Sequence, residues 1–369
     1  MRVLLYINSL KMGGAERVLV NLAKSMSEQG LEVHLVTQTC STSDAYTVPP
    51  EIIRTSLLTG ETSRGLFHAA RLNLRRVIRL RKLIREWRPD RIIAFMPTAN
   101  FVAIAASRGY RIPTYVAEHT YPGAVRLGFL RSRAISWAYQ KADKLVVLTT
   151  ETATWYQETL GLRNTAVIPN GVSLPLDKVA PILLPTEVLP QESRVVICVG
   201  RLVESKQTKV AMEAFISVAP QNPDWHFVIL GDGPLQGELT KLSRGSAYEN
   251  RIHLVGAVGN IQDWYERSDV LISASRLEGF PTSLVEAMAC GCVPIAYDCL
   301  TGPRDIIEHK SNGLLVKLDD FDDLTCSLAL LLENPEQRAA MSKKAQFILD
   351  KFSQASITRR WIQLIDAQA

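Results

Sequence analysis

Residues 275–288 read Ser275-Arg276-Leu277-Glu278-Gly279-Phe280-Pro281-Thr282-Ser283-Leu284-Val285-Glu286-Ala287-Met288 and carry the most specific chemical signal in the chain. Two carboxylates stand eight positions apart with Gly and Pro between them. A helix starting near Thr282 puts Glu278 on the preceding loop and Glu286 one turn into the helix. Glu286 is flanked by Val285, Ala287 and Met288, so it is an acid on an apolar face. A buried acid needs a partner, and a ribose diol is a suitable one. The backbone of Pro281, Thr282, Ser283 and Leu284 opens the helix, where amides and the helix dipole favour an anion.

Upstream, Gly200-Arg201-Leu202 follows an apolar strand, with Lys206 five residues beyond Arg201. Two fixed cations at the carboxyl end of a strand can hold a diphosphate and absorb charge as it leaves. Taken alone, the pair reads equally well as solvated surface charge. Gly13 and Gly14 open a helix after the first strand, which suits close backbone approach to an anion or simply a tight turn. Neither this turn nor Gly231-Asp232-Gly233 has the G-x-G-x-x-G spacing, and no acid follows strand two. A nicotinamide dehydrogenase is therefore disfavoured.

These residues need two similar scaffolds. Apolar runs at 3–7, 32–37, 91–95, 114–117 and 145–148 alternate with helical stretches, the first helix covering about 14–29. A proline-rich stretch follows Gly171 (Pro175, Pro181, Pro185, Pro190). The pattern then restarts at 195–199, with a helix over about 206–219 and strands at 226–230, 252–255, 270–273 and 293–296. Short continuous apolar strands between helices indicate parallel sheets covered on both faces. The expected fold is α/β, two doubly wound Rossmann-like domains facing across a cleft. Ligands of such sheets bind beyond the strand carboxyl ends, so the cleft is the expected site.

With 369 residues, 47% of them apolar, each half can bury a core and disorder is excluded. The N-terminus reads as a strand rather than a signal peptide, and no window approaches a membrane span. Six cysteines sit mostly in apolar runs, which suits core filler in a reducing compartment; Cys290 and Cys292 lack the partners of a zinc set. No D-x-D motif lies at a strand end, and Asp319-Asp320 with Asp322-Asp323 reads as a solvated helix start. Charge is uneven: residues 1–175 carry a net +11 and residues 176–369 a net −6. A basic first half suggests an anionic partner.

Residues 63–88 concentrate that charge, with nine Lys/Arg against Glu86 alone. Arg64, His68, Arg71, Arg75, Arg79 and Lys82 recur at three- and four-residue spacing, accompanied by Arg76. Leu66, Ala70, Leu74, Val77, Ile84 and Trp87 mark another face. A basic amphipathic helix suits an anionic leaflet or a lipid diphosphate, although an ordinary surface helix with solvated arginines stays open. Phe129, Leu130, Arg131, Arg133 and Trp137 extend the same surface in this reading. Nucleic acid is not expected, since no recognition module is present.

Six ordered motifs resemble the retaining glycosyltransferases of family 4, which have the two-domain GT-B fold. They are Gly13-Gly14-Ala15-Glu16-Arg17, Glu118-His119-Thr120, Pro169-Asn170-Gly171-Val172, Gly200-Arg201-Leu202 with Lys206, Gly231-Asp232-Gly233, and Glu278 with Glu286. The resemblance implies domains at 1–172 (acceptor) and 173–352 (nucleotide-sugar), with a last helix, 353–369, packing back on the first. It implies that Arg201 and Lys206 bind the donor diphosphate, with Gly13 and Gly14 approaching from the opposite domain. Glu286 would hold the ribose, Glu278 the transferred sugar, and Pro281–Leu284 the phosphate cradle. His119 would sit at the reaction centre; taken alone, a His after a strand is usually structural. Gln207 departs from the glycine common after the Lys.

Within the family, the chain looks most like bacterial enzymes that extend undecaprenyl-diphosphate-linked glycans, many of them N-acetylgalactosaminyltransferases. This implies a UDP-sugar donor (GalNAc or another hexose or N-acetylhexosamine), a lipid-linked glycan acceptor, and a cytoplasmic enzyme peripheral to the inner face of the membrane. No metal and no cofactor are expected, Arg201 and Lys206 doing the work of a Mg²⁺. Front-face attack is the implied route to retention, since no carboxylate nucleophile is evident. A transferase with a soluble acceptor, a silent sugar-nucleotide or lipid-glycan binding protein, and an epimerase are the competing readings.

Overall fold

The computed structural model describes residues 1–11, 13–61, 65–124 and 128–367. Arg64 and the side chains of Leu66, Phe129, Leu130 and Arg131, all singled out above, lie outside the described residues. The chain divides into two compact units: Met1–Gly171 together with Gln354–Ala369, and Val172–Ser353.

The first unit runs β1 (Arg2–Ile7), α1 (Gly14–Glu28), β2 (Glu32–Thr37), β3 (Ile53–Ser56), α2 (Leu66–Trp87), β4 (Arg91–Phe95) and α3 (Pro97–Ser107). It continues through β5 (Thr114–Glu118), α4 (Phe129–Tyr139), β6 (Lys144–Val147), α5 (Thr150–Leu160) and β7 (Thr165–Val167). The second runs β8 (Arg194–Val199), α6 (Thr208–Val218), β9 (Trp225–Leu230), α7 (Gln236–Arg244), β10 (Ile252–Gly256), α8 (Ile261–Glu266) and β11 (Val270–Ser273). After these come α9 (Thr282–Ala289), β12 (Val293–Tyr297), α10 (Pro303–Ile306), β13 (Leu314–Val316), α11 (Phe321–Glu333), α12 (Pro335–Ala345) and α13 (Ile348–Phe352). Helix α14 (Gln354–Asp366) then belongs to the first unit.

Both sheets are parallel. Their strand orders are β3-β2-β1-β4-β5-β6-β7 and β10-β9-β8-β11-β12-β13. Strands β5 and β12 are buried at every position, as parallel strands covered by helices on both faces must be. In each sheet the order reverses once, between β1 and β4 and between β8 and β11, and loops leaving the carboxyl ends there splay apart to leave a crevice.

Three strands escape the sequence reading: β3, β7 and β13. All are three or four residues long and close a sheet edge; half-exposed side chains break the apolar run in β3 and β7, and the mostly buried Leu314–Val316 is too short a run to stand out. The helix expected from residue 206 begins instead at Thr208. A short turn over Glu204–Lys206 precedes it, and Gln207 at φ +46° separates the two.

The return of α14 completes the first unit. Ile357, Trp361 and Ile365 enter the core beside Val18, Leu22 and Phe95, each such side chain contributing roughly 1.5–3 kcal/mol on burial. Arg360 donates to the Val167 carbonyl (2.8 Å) and Arg91 to the Ile365 carbonyl (2.7 Å). Gly171 is required at this seam, because a Cβ there would stand 2.9 Å from Gln354 Cα.

Candidate active site

In the second unit, β8 and β11 are neighbours at the reversal, so the loops after Val199 and Ser273 leave side by side. This brings Arg201, Lys206, Glu278 and the start of α9 to one end of one sheet. Lys206 Nζ donates to both Glu278 oxygens, at 2.6 and 2.8 Å. Arg201 is exposed. Glu286 is buried on α9, where the Tyr265 hydroxyl donates to its Oε2 at 3.3 Å.

The glycines around this site set its close approaches. Gly231, at φ +131°, lies against the Arg201 turn: a Cβ there would sit 2.0 Å from the Gly200 carbonyl oxygen. A Cβ on Gly233 would be 2.4 Å from the Leu202 oxygen, and Leu202 N–H donates to the Asp232 carbonyl (2.9 Å). Gly231-Asp232-Gly233 is thus a brace that holds the Arg201 turn.

Gln207 explains its own exception. At φ +46° it occupies the left-handed region that favours glycine. With its amide turned so that the nitrogen donates to the Ala274 carbonyl (2.8 Å), its oxygen accepts from Arg276 Nε (2.9 Å). The Arg276 N–H also donates to the Ser205 carbonyl (2.9 Å). The Lys206 turn is therefore tied to the strand-β11 loop by side chain as well as backbone.

The cradle assigned to Pro281–Leu284 needs correction. Pro281 has no N–H, and the Leu284 N–H donates to the Pro281 carbonyl at 3.0 Å. The amides of Thr282 and Ser283 remain the first-turn donors that a helix cannot satisfy internally. Sequence reading also passed over Thr301, whose buried hydroxyl donates to the Glu278 carbonyl, and Tyr265; both come from distant segments and carry no motif.

In the first unit, Gly13 follows β1 and His119 follows β5, with β4 between these strands. Gly13 is pinned by Tyr46, which accepts from the Gly13 N–H (3.2 Å) and donates to the Gly13 carbonyl (2.8 Å). Gly14 faces open space, with nothing within 4 Å of where a Cβ would be. His119 packs on Phe95 with ring centroids 4.5 Å apart, and lines a cavity of about 10 Å³ with Trp361 and Gln354. Burial pushes its imidazole down to about 4, so the ring is neutral at pH 7. On the other side of β5, Glu118 accepts from Tyr139 Oη and from Asn100 Nδ2 (3.0 Å).

Helix α2 divides its cations. Arg76 donates to the carbonyls of Thr59 (3.1 Å) and Glu61 (3.0 Å), and Arg79 to those of Leu57 and Leu58. These two arginines tie the helix to the chain leaving β3 instead of presenting charge. Arg71, Arg75, Lys82 and Arg85 are exposed, and so are Leu74 (60%) and Ile78 (57%). The packed face runs through Leu72, Leu80 and Ile84, so Leu74 and Ala70 do not belong to it. Among the described residues, no helix is long and apolar enough to cross a membrane.

Two doubly wound parallel sheets, the second with a cation–carboxylate cluster at its reversal point, are the architecture of GT-B glycosyltransferases. Residues 12–175 match the family model "Glycosyltransferase Family 4" and residues 183–347 the model "Glycosyl transferases group 1". The chain is 27% identical over 369 residues to a Campylobacter jejuni α-1,4-N-acetyl-D-galactosaminyltransferase named for a GalNAc-containing diNAcBac-PP-undecaprenol substrate, covering 99% of this chain and 98% of that protein. It is 25% identical to an uncharacterized glycosyltransferase of Haemophilus influenzae, over 95% of each chain. Its fold matches Anabaena HepE in complex with UDP at a TM-score of 0.80, with 21% identity over the whole of both chains. The chain belongs to the family 4 glycosyltransferases of GT-B fold.

Proposed function

We propose that this glycosyltransferase moves N-acetylgalactosamine or a related sugar from a UDP-sugar to a lipid-diphosphate-linked glycan, with retention and without a metal. The observation that carries the donor half is the cluster of Arg201, Lys206, Glu278 and the Thr282–Ser283 amides at the β8/β11 reversal. Cleavage of the sugar–phosphate bond leaves an oxocarbenium-like sugar and gathers negative charge on the diphosphate. Fixed cations and amides stabilise that charge more in the transition state than in the ground state, which is where rate is gained. Removing one such donor costs about 3 kcal/mol. Glu286 accepts from the ribose hydroxyls and Glu278 from the transferred sugar. His119, neutral at pH 7, is the first unit's candidate hydrogen-bonding group for the reaction.

For the acceptor, the exposed stripe Arg71, Leu74, Arg75, Ile78, Lys82 and Arg85 on α2 suits an anionic leaflet, apolar side chains entering between basic ones. The activities for which two Campylobacter jejuni relatives are named, both on undecaprenyl-diphosphate glycans, support the same class. On this reading the enzyme works at the inner face of the cell membrane.

Thermal-shift screening against UDP, GDP, ADP and their sugars, in EDTA, tests the donor. A shift with uridine nucleotides that disappears in Arg201→Ala and Glu286→Ala is expected. No shift with any nucleotide would sink the donor reading and favour a silent lipid-glycan binding protein. Transfer to a water-soluble glycan alone, with no vesicle dependence, would favour the soluble-acceptor reading.

A further inference from the structure

The bidentate contact between Lys206 and Glu278 links the two groups that the proposed function assigns to different parts of the donor. Lys206 belongs to the diphosphate and Glu278 to the sugar. In the structure each instead satisfies the other, at 2.6 and 2.8 Å, with side chains only 25% and 9% exposed. A pair this shielded from water is not screened as a surface pair would be. We propose that Glu278 is a specificity-determining residue that makes the site discriminate a nucleoside diphosphate bearing a sugar from one without.

The argument is one of exchange. A diphosphate approaching Lys206 comes beside a carboxylate that already holds that ammonium, and like charges at such distances repel strongly where water is sparse. A bare nucleoside diphosphate brings no donor that can satisfy Glu278, so binding either breaks the pair and leaves the carboxylate unpartnered or accepts the repulsion. Leaving a buried charge without its partner is the costly outcome. A nucleotide-sugar brings hydroxyls at the position Glu278 faces. They donate to the carboxylate, and Lys206 turns fully to the diphosphate. After transfer the sugar is gone, the carboxylate recaptures the ammonium, and the nucleotide product is expelled.

The loop is built to keep Glu278 in this position. Its backbone carbonyl accepts from the buried Thr301, and Arg276 beside it is held by Asp319 (2.8 Å). Rotation of the Glu278 side chain, not movement of the loop, is the degree of freedom left for the exchange.

This inference rests on the donor reading above, and the test separates the two. UDP binding is measured by calorimetry for the wild type, Glu278→Gln, Lys206→Met and the double variant, with melting temperature as the folding control. Glu278→Gln is expected to bind UDP about tenfold more tightly than wild type while losing transfer activity. In the Lys206→Met background the same change relieves only the carboxylate–diphosphate repulsion, so a different gain there than in the wild-type background reports the ammonium that Glu278 holds. Glu278→Ala reports the same exchange should the amide perturb the fold. UDP affinity that is unchanged or weaker in both Glu278 variants would overturn the inference and leave the donor reading standing. A wild type that binds neither UDP nor a UDP-sugar would overturn both.

Discussion

Thr301 donates its hydroxyl to the backbone carbonyl of Glu278, from a position with no solvent exposure. One residue further on, Gly302 turns at φ +100°, where a Cβ would come within 2.5 Å of Pro281 Cδ. The segment after β12 thus braces both ends of the loop that carries Glu278 into α9. Its contact is with backbone, so it constrains where the carboxylate starts without touching its charge.

Thr301→Val removes the hydroxyl at constant shape and leaves a buried carbonyl without its donor. A stability loss of about 1–3 kcal/mol is expected. Small displacements of a catalytic group are amplified in rate, so kcat should fall about tenfold or more. Thr301→Ser should restore both. Steady-state transfer kinetics beside thermal melts decide it, and unchanged kcat in a folded Thr301→Val would reject the positioning role.

Gln207 separates strain from contact. Gln207→Ala keeps the left-handed backbone and loses the bonds to Ala274 and Arg276, so the variant should be about 1–2 kcal/mol less stable. Gln207→Gly loses the same bonds but removes the strain, and should lie within about 1 kcal/mol of wild type. Equal melting temperatures for the two variants would contradict this.

Glu118 makes the first unit pH-sensitive. Burial pushes its carboxyl up from 4.5 to about 7, and the hydrogen bonds from Tyr139 and Asn100 offset that only in part. The folded state therefore binds the proton more tightly than the unfolded chain. Stability from this group is complete below about 4.5 and declines as pH rises to about 7, by roughly 3 kcal/mol across the window. Glu118→Gln should flatten the melting temperature between pH 5 and pH 8. A wild type that gains stability steadily over that range, with the variant following it, would contradict the assignment.

The arginines of α2 should sort into two groups. Arg71→Gln, Arg75→Gln and Lys82→Gln together should weaken partitioning onto anionic vesicles by about 1 kcal/mol per residue, with little change in melting temperature. Arg76→Gln or Arg79→Gln should do the reverse, since each donates to carbonyls in the chain after β3. Vesicle sedimentation and thermal melts on the same preparations read both effects.

Much of this molecule is legible one segment at a time. The central strands are unbroken apolar runs because they are covered on both faces. The string from Glu278 to Glu286 shows its chemistry because loop, Pro and helix are consecutive. The edge strands β3 and β7 were not legible, since a half-exposed strand has no such run, and β13 was not, since its apolar run is only three residues long. Arg76 and Arg79 of α2 were not separable from their neighbours for a related reason. Their spacing defines a face, but which arginines meet carbonyls depends on a loop that precedes the helix.

The sequence by itself determined two doubly wound units, the family, and the residues that bear charge near the strand ends. Those properties are local: periodicity, turn chemistry and motif order are written in consecutive residues. Only the tertiary structure decided that Lys206 and Glu278 face one another, that Thr301 and Tyr265 support the two glutamates, and that Gly231 exists to clear the Gly200 carbonyl. Each of these pairs residues tens of positions apart. The alignment of β8 beside β9 and β11, and of β11 beside β12, sets such distances, and no pattern within any one segment encodes them.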